Sequence, residues 1–433
     1  MTVPQRRDDR LELSELVRVT PVAAALFSIT AGQGVSIAAT CCESATCQSL
    51  VPIRARLSTQ RHHPELDFMF FLIAACFGCG FLVSLVMTRV MIWLSPKWGL
   101  IDQPAARKVH TTPKPLGGGI GIWCGVVIPL ACAHLAVWWL SRQSELPQWL
   151  PREIVPHLSG ALERVSLLWS IIGAGTLLSI MGLADDVADL PWQPRLAVQF
   201  FVAVGLTFGG VKATVFAPWP WLGIVLTVGW MLVLINSFNF LDNMDGLSGG
   251  IALISSLIFA TIMLTCLSEP RWFVGAALLI LAGSVTGFLC WNWNPARIFM
   301  GDTGSYFLGL YVSSMTVVGT FYEPTLADRR HVMLAPLCVL AVPLYDFATV
   351  IFIRIKQGRS PFKPDKCHFS HRLVELGLKP RNAVLTVHLA TLTTGLGAIL
   401  LYQVPTWNAA AVVIGLIFCV LCIIAILETV GRQ

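Results

Sequence analysis

Runs of about twenty apolar residues recur along most of the chain and limit what it can fold into more than any other feature. They fall at 68–94, 119–140, 166–184, 195–211, 213–235, 249–267, 272–291, 304–321, 332–353, 383–402 and 407–427. About twenty helical residues cross a hydrocarbon layer of roughly 30 Å, and in lipid each segment must satisfy its own backbone polar groups. With 55% hydrophobic and 12% charged residues among 433, and a mean hydropathy of +0.71, the chain carries more apolar surface than a soluble core uses. The expectation is an all-α, polytopic transmembrane helix bundle of about 11 spans. The run at 195–211 is short and can tilt, or merge with its neighbour through Pro218 and Pro220. Losing it would invert the sidedness of everything after it.

Residues 1–65 differ in character, with charges clustered at Arg6 to Arg10 and then a Gly-, Ser- and Thr-rich stretch leading to Cys41, Cys42 and Cys47. Mixed charges and the interruption at Gly32 to Gly34 make a poor secretory signal, so this part reads as a poorly structured extension before an integral membrane domain at 66–433. The 13 cysteines are no disulfide framework, because most, such as Cys124, Cys266, Cys290 and Cys338, stand singly inside apolar runs as small hydrophobes. Cys76/Cys79 and Cys419/Cys422 are spaced like redox pairs but lie in mid-span, where packing explains them.

Five polar segments follow odd-numbered runs and therefore share one side of the membrane: Lys108/His110, Asp185/Asp186, Asn239 to Asp245, Asp302, and His368 to Arg372. Lys and Arg concentrate on that side, notably between Arg354 and Arg381, so the positive-inside bias makes it cytosolic. The N-terminus is then outside and the C-terminus cytosolic. Basicity alone does not establish phosphate binding, because orientation and attraction to anionic lipid also account for it.

Asp185 and Asp186 end an apolar run, where adjacent carboxylates repel and call for a cation or a proton. Mg²⁺ suits such a pair, since it binds through one or two carboxylates plus substrate phosphates; a solvated helix-end pair is the plainer alternative. The run Asn236-Ser237-Phe238-Asn239-Phe240-Leu241-Asp242-Asn243-Met244-Asp245-Gly246-Leu247 holds two more acids and three amides with no cation between them. Amides and carboxylates can read a uracil edge and ribose hydroxyls, and a turn-rich linker is the alternative. In Arg297-Ile298-Phe299-Met300-Gly301-Asp302-Thr303-Gly304-Ser305 an acid and small residues open a helix whose free N–H groups favour phosphate, or whose N-terminus Asp302 simply caps.

Lys108, His110 and Lys114 precede Gly117-Gly118-Gly119. No strand precedes these glycines and a membrane helix follows, so they are read as allowing close helix packing rather than as a dinucleotide fingerprint, with the cations left to meet phosphate. His368, His371 and Arg372 form a basic cluster within the Asp365–Arg372 stretch, read as phosphate-binding rather than as zinc ligation, because adjacent Cys367 and His368 make an awkward chelate. Asp346 lies about two turns before Arg354, near the same interface, placed to pair with a neighbouring helix or to border the site.

The double aspartate, Asn239 to Leu247, Phe299 to Ser305 and His368-Phe369-Ser370-His371-Arg372, in that order across roughly 68–427, resemble the polyprenyl-phosphate N-acetylhexosamine-1-phosphate transferases. The resemblance implies Mg²⁺ dependence, with Mn²⁺ as a substitute, and transfer of a sugar 1-phosphate from a UDP-sugar to undecaprenyl phosphate. UMP would be released and envelope polysaccharide synthesis begun at the cytosolic face of the inner membrane. Pro343 to Asp346 and Arg359 to Asp365 look like the branch that uses UDP-N-acetylglucosamine, whereas Ser370 stands where many relatives carry a further histidine. A UDP-MurNAc-pentapeptide or another UDP-N-acetylhexosamine is the alternative donor.

By the same resemblance, Asp185 and Asp186 are the catalytic carboxylates, with Asp302 joining them on the metal. Asn239, Asp242, Asp245 and Phe299 hold the uridine, and Lys108, His110, His368, His371 and Arg372 meet phosphate or sugar. Membrane lipid and the two substrates are the partners implied, without nucleic acid; a homodimer is compatible. A transporter or a non-catalytic relative is the rival reading, and a carrier would place its acids at broken mid-span helices rather than at span ends.

Overall fold

In the computed structural model, residues 64–103, 112–145, 147–148, 155, 157–213, 219–321, 329–361 and 368–430 are described. The extension expected at 1–65 falls outside them except for its last two residues. The first helices in chain order are α1 (Pro64–Leu94), α2 (Gly118–Leu140), α3 (His157–Glu163), α4 (Val165–Ala188) and α5 (Trp192–Phe208). The middle of the chain forms α6 (Pro220–Leu241), α7 (Leu247–Thr261), α8 (Trp272–Asn292) and α9 (Gly301–Val318). The last are α10 (Ala335–Val339), α11 (Ala341–Lys356), α12 (Phe369–Glu375), α13 (Pro380–Gln403) and α14 (Trp407–Val430). One short antiparallel pair, β1 (Ile101–Asp102) with β2 (Lys114–Pro115), interrupts the helices.

Among the described residues each of the eleven apolar runs contributes a helix, but the helices differ in how well they suit a crossing. Among the described residues, eight are long and apolar enough to span, and a ninth span results if the bent pair Arg330–Val339 and Ala341–Lys356 counts as one. The run at 195–211 became α5, only 17 residues long. The 64° bend lies at Leu340. Pro343, three residues on, lacks the N–H that would bond the carbonyl of residue 339, and its ring crowds that carbonyl.

Helix α9 is short and comparatively polar because it meets protein rather than lipid. Its residues 303–316 are buried throughout, and it packs on α2, α4 and α6. Its polar groups find partners in that interior: Trp230 Nε1 donates to Thr316 Oγ1 at 2.9 Å and the Tyr311 hydroxyl donates to the Ala277 carbonyl at 3.2 Å. Close approach around it depends on small residues. A Cβ on Gly309 would lie 2.4 Å from Ile235 Cα, and one on Gly182 would lie 2.5 Å from the Asp302 carbonyl. A second seam joins α1 and α8, where Gly283 and Gly287 face the Phe77 and Phe81 carbonyls in the G-x-x-x-G spacing that lets membrane helices touch.

Outward faces are apolar. Leu82 and Val86 on α1, Leu389 and Leu396 on α13, and Leu416 and Phe418 on α14 are all exposed. Exposed Trp138, Trp139, Trp219, Trp221 and Trp407 gather near helix ends on one side, and Trp93 and Trp98 mark the other, as aromatic belts do at membrane interfaces. Burial that leaves these faces apolar while enclosing Ser, Thr and Tyr inside fits a bilayer solvent.

Candidate active site

The C-terminal ends of α4, α6 and α8 meet the N-terminal ends of α2, α7 and α9 at one end of the bundle. The glycine run at 117–119 makes this junction possible. Gly118 and Gly119 N–H groups donate to the Phe299 and Met300 carbonyls, both at 2.9 Å, while Phe299 N–H donates to the Pro115 carbonyl at 2.9 Å. A Cβ on Gly119 would stand 2.2 Å from the Gly304 nitrogen, so the expected packing role of these glycines is what the fold uses.

Asp186 caps α9 from across the interface. Its carboxylate accepts the Asp302 N–H at 2.9 Å, the Thr303 N–H at 3.3 Å and the Thr303 hydroxyl at 2.9 Å. A negative charge held against free N–H groups at a helix N-terminus is favourable, and it leaves Asp186 with its acceptor capacity largely committed. Gly301 has φ +74, a conformation open to glycine at little cost, and a Cβ there would strike the Asp186 carboxylate. The cap therefore comes from α4 rather than from Asp302 itself.

Asp302, freed from capping, turns toward Asp185. Arg195, on the first turn of α5, places Nη1 2.5 Å from Asp185 Oδ2 and 3.5 Å from Asp302 Oδ2. The Tyr306 hydroxyl lies within hydrogen-bonding reach of the same two oxygens, at 3.2 and 3.1 Å. Leu190 N–H donates to Asp185 Oδ1 at 2.7 Å, and Asn239 Nδ2 donates to Asp302 Oδ1 at 2.7 Å and to Ser305 Oγ at 3.1 Å. Each carboxylate is thus oriented through one oxygen while its other oxygen points to a shared centre.

Asp242 sits beside this centre, and the Gly301 N–H donates to it. Burial, and then the negative charge of Asp186, push its carboxyl up to about 7, against that hydrogen bond. Asp245 points elsewhere, accepting from Asn294 Nδ2 and Ala296 N–H, both at 3.0 Å, so it pins the turn after α8. Phe299 is half-buried, with its backbone held by Pro115 and Gly118.

A second group adjoins the first through Phe240 and Asn243. Asp346 on α11 accepts from His368 Nδ1 at 3.0 Å and from the Phe369 N–H at 2.7 Å. The His368 ring stands edge-on to Phe240, with centroids 5.7 Å apart, and lies 6.3 Å from His371. The buried Arg354 guanidinium covers the Phe240 ring at 5.0 Å and donates to the Pro361 carbonyl. Ser370 Oγ donates to Asn243 Oδ1 at 2.7 Å, which ties the start of α12 to the loop after α6, and Arg372 is buried one turn further along. Lys108 and His110 lie outside the described residues.

The expected site residues that are described thus gather at one end, around two linked groups. Arg195, Tyr306 and Arg354 were not anticipated as site residues. Arg195 carried a signal, a lone cation ten residues beyond the aspartate pair at the mouth of an apolar run, whereas Tyr306 and Arg354 show their roles only in three dimensions.

Among the described residues, no three His, Cys, Asp or Glu side chains form a metal cage. Asp185 and Asp302 nevertheless offer paired oxygens at one point, the donor set with which Mg²⁺ is held when substrate phosphates complete its shell. Asp186, spent on α9, fits that role less well.

Fold and site together define a multi-pass helical membrane protein with a buried acidic centre at one end of its helix bundle. Residues 168–320 match the model of glycosyl transferase family 4. The chain is 31% identical to the decaprenyl-phosphate N-acetylglucosaminephosphotransferase of Mycobacterium leprae, over 78% of this chain and 85% of that protein. It is 29% identical to a probable undecaprenyl-phosphate N-acetylglucosaminyl 1-phosphate transferase of Bacillus subtilis, over 81% and 91%. It is 28% identical to the undecaprenyl-phosphate alpha-N-acetylglucosaminyl 1-phosphate transferase of Salmonella typhi, over 75% and 85%. The chain belongs to the polyprenyl-phosphate N-acetylhexosamine-1-phosphate transferases of glycosyl transferase family 4.

Proposed function

We propose that this protein transfers N-acetylglucosamine 1-phosphate from UDP-N-acetylglucosamine to undecaprenyl phosphate, with Mg²⁺, at the cytosolic face of the inner membrane. All eleven helical runs then cross, with α5, α9 and the bent α10–α11 pair counted as passes, so the N-terminus is outside and the C-terminus cytosolic. The observation that carries the reading is the convergence of Asp185 and Asp302 on one point beside Asn239 and Asp242 at a membrane end. The names of three relatives over most of their length supply the substrate class.

In this reading the lipid phosphate oxygen attacks the phosphorus bonded to the sugar. The bond from that phosphorus to the bridging oxygen breaks, and its electron pair leaves on UMP. Asp185 and Asp302 would hold Mg²⁺, which when bound would neutralise charge on the diphosphate. Asp185 also orients the acceptor phosphate, and Asn239 keeps Asp302 turned toward the centre. Asp242, Asp245 and Phe299 border the uridine, while His368, His371 and Arg372, with Lys108 and His110, set positive groups against the phosphates and sugar.

Purified protein supplied with Mg²⁺, undecaprenyl phosphate and radiolabelled UDP-N-acetylglucosamine should give labelled lipid and UMP, and Asp185→Asn should abolish both. Undiminished turnover in that variant would remove Asp185 from the mechanism. A panel of UDP-sugars, including UDP-MurNAc-pentapeptide, decides the donor.

A further inference from the structure

Arg195 occupies the place where the acidic centre demands positive charge. It is not a surface ion pair: Asp185 is buried, the arginine side chain is 23% exposed, and Nη1 reaches both carboxylates, at 2.5 Å and 3.5 Å. The oxygens it touches, Oδ2 of Asp185 and Oδ2 of Asp302, are the pair that also faces the Tyr306 hydroxyl. Their partner oxygens are tied to Leu190 and Asn239. A magnesium ion ligated by the Oδ2 pair would sit about 2.1 Å from each, a position that a guanidinium nitrogen in contact with Asp185 Oδ2 blocks by both volume and charge.

We propose that Arg195 is an exchangeable counter-ion and a positioning residue: it holds Asp185 and Asp302 paired while no divalent cation is bound, and cedes their oxygens when the cation arrives with the nucleotide. Two like charges brought together in a partly dry site repel unless a cation or a shared proton offsets them. The guanidinium keeps them aligned. It can leave because it stands on the first turn of α5 and is partly exposed, and because an arriving diphosphate offers it new oxygen partners. Cation affinity is therefore coupled to nucleotide: weak alone, where the cation must displace Arg195 unaided, and tighter when the diphosphate takes up both positive groups. The inference rests on the Mg²⁺ reading of the site.

Mn²⁺ binding followed by electron paramagnetic resonance on detergent-solubilised full-length protein, without acceptor lipid, tests it. Wild type should bind Mn²⁺ weakly alone and more tightly with UDP-N-acetylglucosamine. Arg195→Gln should tighten nucleotide-free binding by roughly tenfold or more, and adding Asp302→Asn should remove that gain. Arg195→Lys, which keeps a competing charge, should stay close to wild type. Unchanged or weaker Mn²⁺ binding in Arg195→Gln overturns the exchange while leaving the cation site standing. No Mn²⁺ binding in any form, with or without nucleotide, overturns the cation reading and the exchange with it. In the unaltered protein, a structure with cation and nucleotide bound should show Arg195 Nη1 withdrawn from Asp185 Oδ2; a nitrogen still in contact there overturns the proposal without any variant.

Discussion

Asp346 Oδ2 lies 3.0 Å from His368 Nδ1, joining the middle of α11 to the residue that precedes α12. The contact is made through Nδ1, so it sets which way the ring, and with it Nε2, is turned. Asp346 is thereby a positioning residue for His368, and its other oxygen, taken by the Phe369 N–H, fixes where the imidazole stands.

Asp346→Asn is expected to lower kcat by roughly 10- to 100-fold, by analogy with the loss of a carboxylate that orients a metal-ligating imidazole. The measurement that separates positioning from general destabilisation is a double-mutant cycle with His368→Gln. If the two act as a unit, the double variant loses little more than the worse single variant. Additive losses would assign Asp346 to holding α12 alone.

Asp186 should declare itself in stability as much as in turnover. Its carboxylate satisfies three donors at the start of α9, so Asp186→Ala leaves buried N–H groups without partners, at about 1–3 kcal/mol. Thr303→Val removes one of those bonds and no charge, and should show a smaller fall in thermal unfolding temperature in detergent. An unfolding temperature for Asp186→Ala equal to wild type would mean the cap is dispensable and would return Asp186 to the chemistry.

The glycines offer a paired test of packing. At Gly119 a methyl group would lie 2.2 Å from the Gly304 nitrogen, so Gly119→Ala must push α2 away from α9, with an expected loss of about 1–3 kcal/mol and displaced site geometry. A methyl group at Gly173, inside α4, meets nothing within 4 Å. Gly173→Ala should be neutral or slightly stabilising, by up to about 1 kcal/mol of helix preference. Equal effects at the two positions would contradict the close crossing.

Helix type and membrane class were legible because apolar runs of span length leave few alternatives, and among the described residues each run contributes a helix. The crossings were less legible: α9 reads like a lipid-facing run interrupted by Ser313, Ser314 and Thr316, yet those residues are buried among helices that hide them from lipid. The positions of the acids at 185, 242 and 302 after odd-numbered runs predicted that they would meet, and they do lie together at one end of the bundle. Their division of labour was not legible. Asp185 and Asp186 are chemical twins in sequence, and only the helix turn between them sends one toward Arg195 and Tyr306 and the other to the amides of α9. Asp245 looked equivalent to Asp242 but faces Asn294, a partner on a different loop.

Asp242 gives the protein a pH signature. Burial, the Asp186 charge and the further charges of Asp245 and Asp102 push its carboxyl from an ordinary 3.8 to about 7, while the Gly301 N–H pulls the other way. The folded protein therefore binds this proton more tightly than the unfolded chain does. Where native binding exceeds unfolded binding, stability declines as pH rises, so the contribution of Asp242 is fully present below about pH 4 and is lost as pH climbs through about 7. Asp242→Asn, which keeps the shape and carries no ionisable group, should flatten the dependence of unfolding temperature on pH between 4.5 and 7.5, on the order of one proton's worth of slope. A slope identical to that of wild type across this window would show that the proton is held elsewhere.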